Sequence, residues 1–167
     1  MGGCAIAGMG ESLYTCGIGS CVGVVIWDRL AQIAGLLHIQ LASAKLGLGW
    51  GLPPEVGPSP MSPINPTCPG KFADSGLPHL IVALESRGAE RSRMKGYITG
   101  GSDMFGLRTG MEFMDVGGQN VKAVREILHK ELVAIVYDRT GGAISRSMDF
   151  NVDSGKLEVQ GRAVSHG

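Results

Sequence analysis

The sequence lacks the spacings that bind metals. Its four cysteines, at positions 4, 16, 21 and 68, form no CxxC pair, and its four histidines, at 38, 79, 129 and 166, form no HExxH motif. The first absence removes the close ligand pairs of a structural zinc site, and the second removes the helical pair of a zinc hydrolase. No metal is expected. A disulfide framework is not expected either, because a chain of 167 residues can bury a core without one. Neither sign of charge is in excess: Lys and Arg number 15, Asp and Glu number 15, so the electrostatic footprint of a nucleic-acid binder is missing. The first residues show no basic segment followed by a long apolar run, and no uncharged apolar stretch approaches the roughly 18 residues of a membrane span. The expectations are no signal peptide, no membrane insertion and a cytoplasmic location.

Glycine, by contrast, is abundant, with 27 residues, many scattered singly through apolar runs. A glycine inside a helix costs about 1 kcal/mol relative to alanine. The composition therefore disfavours a helical bundle and suits strands, tight turns and close backbone approaches. With 44% hydrophobic and 18% charged residues, the chain reads as one packed globular domain over residues 1–167.

Two strands are expected first, at Cys21 to Trp27 and Gln32 to Leu41. Both are apolar on both faces, which marks central strands covered on two sides. Seven of the eight prolines fall between Leu48 and Gly70, so that stretch reads as a long surface loop. A helix is expected from Asp74 or Ser75, with Leu77, Leu80, Ile81 and Leu84 as its apolar stripe and Gly88 at its end. A strand at Lys95 to Thr99 runs into Gly100-Gly101, and the basic run from Glu90 to Lys95 reads as the solvated approach to it. A second helix is expected from a cap at Asn120 to His129 or Lys130, then a strand at Leu132 to Tyr137. The chain ends in a hairpin, Ser145 to Asn151 and Lys156 to Gln160, turning at Asp153-Ser154-Gly155. This order predicts an α/β (α+β) layered sandwich with a mixed, mostly antiparallel sheet and two main helices.

The segment YTCGIGSC, residues 14 to 21, carries the chemical signal. Cys21 stands where a glycine-rich loop becomes a buried strand, a rigid place for a nucleophile. Gly17 and Gly19 allow a tight turn whose amides could face a developing oxyanion. If Arg29-Leu30 closes a two-residue turn, Cys21 lies opposite His38, with Cα atoms about 4.5 to 5.5 Å apart. An imidazole there is expected to lower the thiol from its ordinary pKa of about 8.5 and to protonate a leaving amine. Thr15 is the nearest hydroxyl that could orient the ring. The same residues also fit a buried small hydrophobe and a satisfied core histidine. Cys16 is a second thiol in the motif, but no base can be placed beside it. It reads as structural, as do Cys4 and Cys68.

The motifs together make the sequence resemble the CheD family of chemoreceptor glutamine deamidases. They are T-x-G-I-G-S-C-V at 15 to 22, His38 seventeen positions after Cys21, KFADSGLPHL at 71 to 80, AERSRMKGYITGG at 89 to 101 with Met104-Phe105, VGGQN at 116 to 120, and the closing GGAISRSMDFNVDSGKLEV. The resemblance implies a layered sandwich similar to toxin-type cysteine deamidases, with Cys21 as nucleophile, His38 as base and Thr15 as third member. It implies conversion of receptor glutamines to glutamate with release of ammonia, no cofactor, and a receptor methylesterase side activity. The implied partners are the cytoplasmic helices of a chemoreceptor (methyl-accepting chemotaxis protein) and a CheC-type phosphatase. A second reading is an adaptor that binds a CheC-type phosphatase with little turnover. The sequence departs from the family pattern at Cys16, at HIQLA (38 to 42) and in the length of its proline-rich segment.

Overall fold

A computed structural model describes residues 3–43, 70–103 and 115–163. The surface loop expected at 48–70 lies outside these residues except for Gly70, as do Cys68, Met104 and Phe105. Eight strands and two helices follow in the order β1 (Cys4–Ala7), β2 (Ser12–Ile18), β3 (Val22–Asp28), β4 (Ile33–Ile39), α1 (Ala73–Glu85), β5 (Lys95–Gly100), α2 (Val116–Lys130), β6 (Ala134–Thr140), β7 (Ile144–Asn151) and β8 (Leu157–Ala163). One sheet has the order β1-β4-β3-β5-β6 and the other β2-β7-β8. All pairings are antiparallel except β5 with β6.

The central strand β3 is buried along its whole length because its two faces serve two cores. Val22, Val24 and Ile26, with Leu37 and Ile39 of β4, pack against Leu77, Leu80, Ile81 and Leu84 of α1 and Val121, Val124 and Leu128 of α2. Val25 and Trp27, with Ala34 and Leu36, pack against Leu13 and Ile18 of β2 and Met148 and Phe150 of β7. The result is a helix–sheet–sheet sandwich, the expected α+β class. Among the described residues no helix is long and apolar enough to cross a membrane.

The β3–β4 connection corrects the expected register. Asp28 pairs with Ile33, so four residues make the turn and Gln32 takes a φ of 53°. The two-residue turn at Arg29-Leu30 does not form because the fully buried Asp28 carboxylate organises a wider one. Its Oδ1 accepts the backbone N–H of Leu30 (3.0 Å) and Ala31 (3.3 Å), and its Oδ2 accepts Glu90 N–H (2.8 Å) and Arg93 Nη2–H (2.8 Å). Pairing shifts by two residues, and Gly23 rather than Cys21 lies opposite His38. A shift of two keeps every side chain on its face.

Other boundaries moved for local reasons. Helix α2 begins a turn earlier than expected, capped by Asp115, which accepts Gly118 N–H at 2.8 Å, so Asn120 lies inside the helix. Helix α1 begins at Ala73 with no side-chain cap; Leu41 O accepts Ala73 N–H instead. Leu132 takes a φ of 60° after α2, which delays β6 to Ala134. The basic run is neutralised rather than merely solvated: Arg91 pairs with Glu85 and Glu131, and Arg93 with Asp28 and Glu90.

Burial alone would raise the Asp28 carboxyl, but the Arg93 guanidinium and the three amides hold it below the usual carboxylate range. Its contribution to stability is therefore full above the unfolded value of about 4 and is lost as pH falls through the depressed folded value. Asp28→Asn should cost about 2 kcal/mol at neutral pH, on the scale of hydrogen bonds to charged groups. Urea unfolding of both proteins from pH 7 downward should show that difference closing in acid; a gap independent of pH would contradict the role given to the carboxylate.

Candidate active site

Cys21, Gly23 and His38 share the face of the first sheet that meets the second sheet, with Thr15 approaching from β2. Thr15 Oγ1 lies 2.8 Å from His38 Nδ1. The glycine opposite His38 makes this contact possible. A Cβ on Gly23 would stand 2.8 Å from Ile18 Cδ1 and 3.7 Å from Thr15 Cγ2, so its bareness lets β2 close onto the ring. Thr15 alternates inward with Leu13, and a bulge between Thr15 and Ile18, with Gly17 at φ 69°, returns Ile18 to the inner face while Cys16 stays exposed.

Cys21 precedes β3 and takes a diagonal position to His38. Such neighbours have Cα atoms about 7–8 Å apart, within reach of a long side chain such as histidine. Cys21 and His38 thus share the expected face, but not in the expected direct opposition. His38 is 6% exposed, and its Nε2 is buried without a hydrogen-bond partner. When Nδ1–H donates to Thr15 Oγ1, Nε2 is left as the basic nitrogen.

The loop carrying the thiol is held by its carbonyls. Gly19 O accepts Ser102 N–H at 2.8 Å, Ser20 O accepts Asn120 Nδ2–H at 3.0 Å, and Cys21 O accepts Gly101 N–H at 2.7 Å. Gly100, at φ 106°, lets β5 come this near: a Cβ there would stand 2.3 Å from Cys21 O. Gly23, Ser102 and Asn120 were not singled out as site residues from the sequence. The spacing of Gly117 and Asn120 in VGGQN, three apart on one helical face, was the available signal.

Electrostatics correct a second expectation. Burial pushes the Cys21 thiol up, against a smaller opposing pull from its own backbone N–H, and burial pushes the His38 imidazole down. The resting site therefore favours neutral thiol and neutral imidazole over a thiolate–imidazolium pair. Among the described residues no group of three or more His, Cys, Asp or Glu side chains could hold a metal ion. Two open clefts lie along α2, one of about 510 Å³ bordered by Gly101, Lys122, Arg125 and Thr140, the other of about 400 Å³ bordered by Ser43, Asp74, Gln119 and Ala123.

A family model described as "CheD chemotactic sensory transduction" matches residues 58–161. The chain belongs to the CheD family. The "Probable chemoreceptor glutamine deamidase CheD" of Oceanobacillus iheyensis is 36% identical over 150 residues, covering 90% of this chain and 81% of the relative. The corresponding protein of Clostridium novyi is 32% identical over 90% of this chain and 83% of its own length. The "Chemoreceptor glutamine deamidase CheD" of Halalkalibacterium halodurans has the same figures, 32%, 90% and 83%. The CheD model's match begins after Thr15, Cys21 and His38, so it assigns these residues no role.

The neutral resting pair has a measurable consequence. In site-resolved iodoacetamide labelling, exposed Cys16 should react before Cys21 near neutral pH. The Cys21 rate should still be rising above the ordinary thiol value of about 8.5. A Cys21 rate that levels off near neutrality would show a preformed thiolate instead.

Proposed function

We propose that this protein deamidates glutamine side chains of chemoreceptor cytoplasmic helices to glutamate, with Cys21 as nucleophile, His38 as general base and acid, and Thr15 as the group that orients the ring. The carrying observation is the 2.8 Å Thr15–His38 contact, which leaves a buried, unpartnered Nε2 on the face that bears Cys21. The names of the CheD relatives supply the substrate class.

The chemistry follows from two neutral partners. As Cys21 Sγ attacks Cδ of the glutamine, its proton passes to His38 Nε2, and the carbonyl oxygen takes the negative charge. The Cys21 N–H, which lies toward its own sulfur, is the candidate oxyanion donor. The imidazolium returns its proton to the amide nitrogen, and the C–N bond breaks to give ammonia and a thioester. Water, deprotonated by Nε2, then displaces the thiolate, which recovers its proton as glutamate leaves. An ester carbonyl can follow the same path with methanol as leaving group, which accommodates receptor methylesterase activity. The alternative of an adaptor with little turnover leaves the ordered Thr15–His38 pair without a task.

Cys21→Ala should fold normally and lose all deamidation, read as loss of the mass change from amide to acid in receptor fragments. Retained turnover would reject the nucleophile. Thr15→Ala should lower kcat by about 10²-fold, the lower range of general acid–base contributions. Because His38 is pushed down, its protonation lies on the acid side of the ordinary imidazole value of about 6.5. The acid limb of kcat/KM should accordingly fall below that pH, and a limb above it would contradict the buried neutral base. Folded receptor fragments should be deamidated and free glutamine spared, because orientation energy comes from contacts remote from the amide. Equal kcat/KM on both would point to a generic amidase.

A further inference from the structure

We propose that Asn120 is a positioning residue that keeps the nucleophile loop and the histidine strand in register from the helix side. The proposal rests on the Cys21–His38 reading given above. Asn120 is 1% exposed and lies on α2, in the layer opposite the one that supplies Thr15. Its two amide hydrogens go to two backbone carbonyls that no strand pairing joins: Ser20 O at 3.0 Å, adjacent to Cys21, and Gln40 O at 2.8 Å, two residues beyond His38. One planar amide thus spans the ends of β3 and β4 where their ladder stops at Val22 and Ile39.

The orientation of the amide is fixed by chemistry. Flipped, Oδ1 would face two carbonyl oxygens and repel both. As placed, Oδ1 is buried without a partner. An apolar residue here would avoid that cost but would leave the Ser20 and Gln40 carbonyls without this donor, so the amide is kept for the two strand ends and not for its own oxygen. The helix is close enough to act because glycine clears its path. A Cβ on Gly117 would stand 2.7 Å from Gly101 O, and one on Gly101 would stand 2.1 Å from Val121 Cγ2. Gly117, Asn120 and Val121 form one face of α2 against the strand ends. Asn120 touches neither the thiol nor the imidazole among the contacts described. It acts through Ser20 and Gln40.

The test compares Asn120→Ala and the isosteric Asn120→Asp with Val124→Ala, a core truncation on the same helix that loosens packing without touching the clamp. With a folded receptor fragment as substrate, both Asn120 variants should lose at least about tenfold in kcat, with KM within about twofold, as misplacement of reacting groups requires. Val124→Ala, measured at the same margin below its own Tm, should keep wild-type kcat. A substrate-free readout accompanies this. Freed from the clamp, the loop admits water, so the pH midpoint of Cys21 alkylation should move down toward the ordinary thiol value in the Asn120 variants and stay put in Val124→Ala. Wild-type kcat and an unmoved midpoint in both Asn120 variants would overturn the positioning role while leaving the nucleophile standing. Full turnover in Cys21→Ala would overturn the active-site reading and this inference with it. Failure of both Asn120 variants to fold would reduce the residue to a structural one.

Discussion

Three consecutive carbonyls, those of Gly19, Ser20 and Cys21, are held by donors from outside their own loop. Each donor comes from a different local setting: the backbone just after β5, the residue beyond it, and a side chain of α2. A glycine-rich segment left to itself would sample many conformations, because glycine has the largest backbone freedom to lose. Here that freedom is removed from one side only. The carbonyls are occupied, and the thiol faces the gap between the sheets. Much of the remaining architecture serves this arrangement: bare Gly100 and Gly101 bring β5 and α2 close, and bare Gly23 brings β2 close.

The same closeness sets the electrostatics. Packing two sheets and a helix around Cys21 and His38 removes water from both, and each responds by favouring its neutral form. A site of this kind does not store charge. In the proposed reaction, the substrate carbonyl accepts electron density while a proton moves a short distance. Under the proposed mechanism, catalysis would rely on aligned dipoles and a base with one free nitrogen, more than on an activated anion already present.

The residues of the candidate site stood out in the sequence, whereas the geometry relating them was legible only in part. Cys21, His38 and Thr15 stood out because a glycine-rich polar segment met an apolar strand. The register was read two residues short because Asp28 looked like an ordinary turn residue. Its buried bond to Arg93 joins positions 65 apart, which no local pattern displays. Asn120 read as a helix cap because asparagine is favoured at that position. In the fold Gly117 meets Gly101 O, and Gly118 donates to the Asp115 cap. Strand β2 was read as loop for a similar reason: its bulge at Cys16 and Gly17 interrupts the alternation that marks a strand. Long apolar elements such as β3 and α1 were placed well, because periodicity is local information and burial on two faces leaves a continuous apolar run.

The Thr15 hydroxyl comes from one sheet, and the His38 imidazole it touches comes from the other. No covalent path shorter than 23 residues joins them, so their 2.8 Å separation measures how the two layers are seated on each other. The layers meet through side chains such as Ile18, Val25, Met148 and Phe150, without a shared ladder. Interdigitated side chains resist sliding by steric fit, and fit changes abruptly when a methyl group is added or lost. The tuning of the histidine is thus entrusted to shape. Substitutions far from the thiol, in the greasy seam between the layers, can detune the ring while leaving every strand intact.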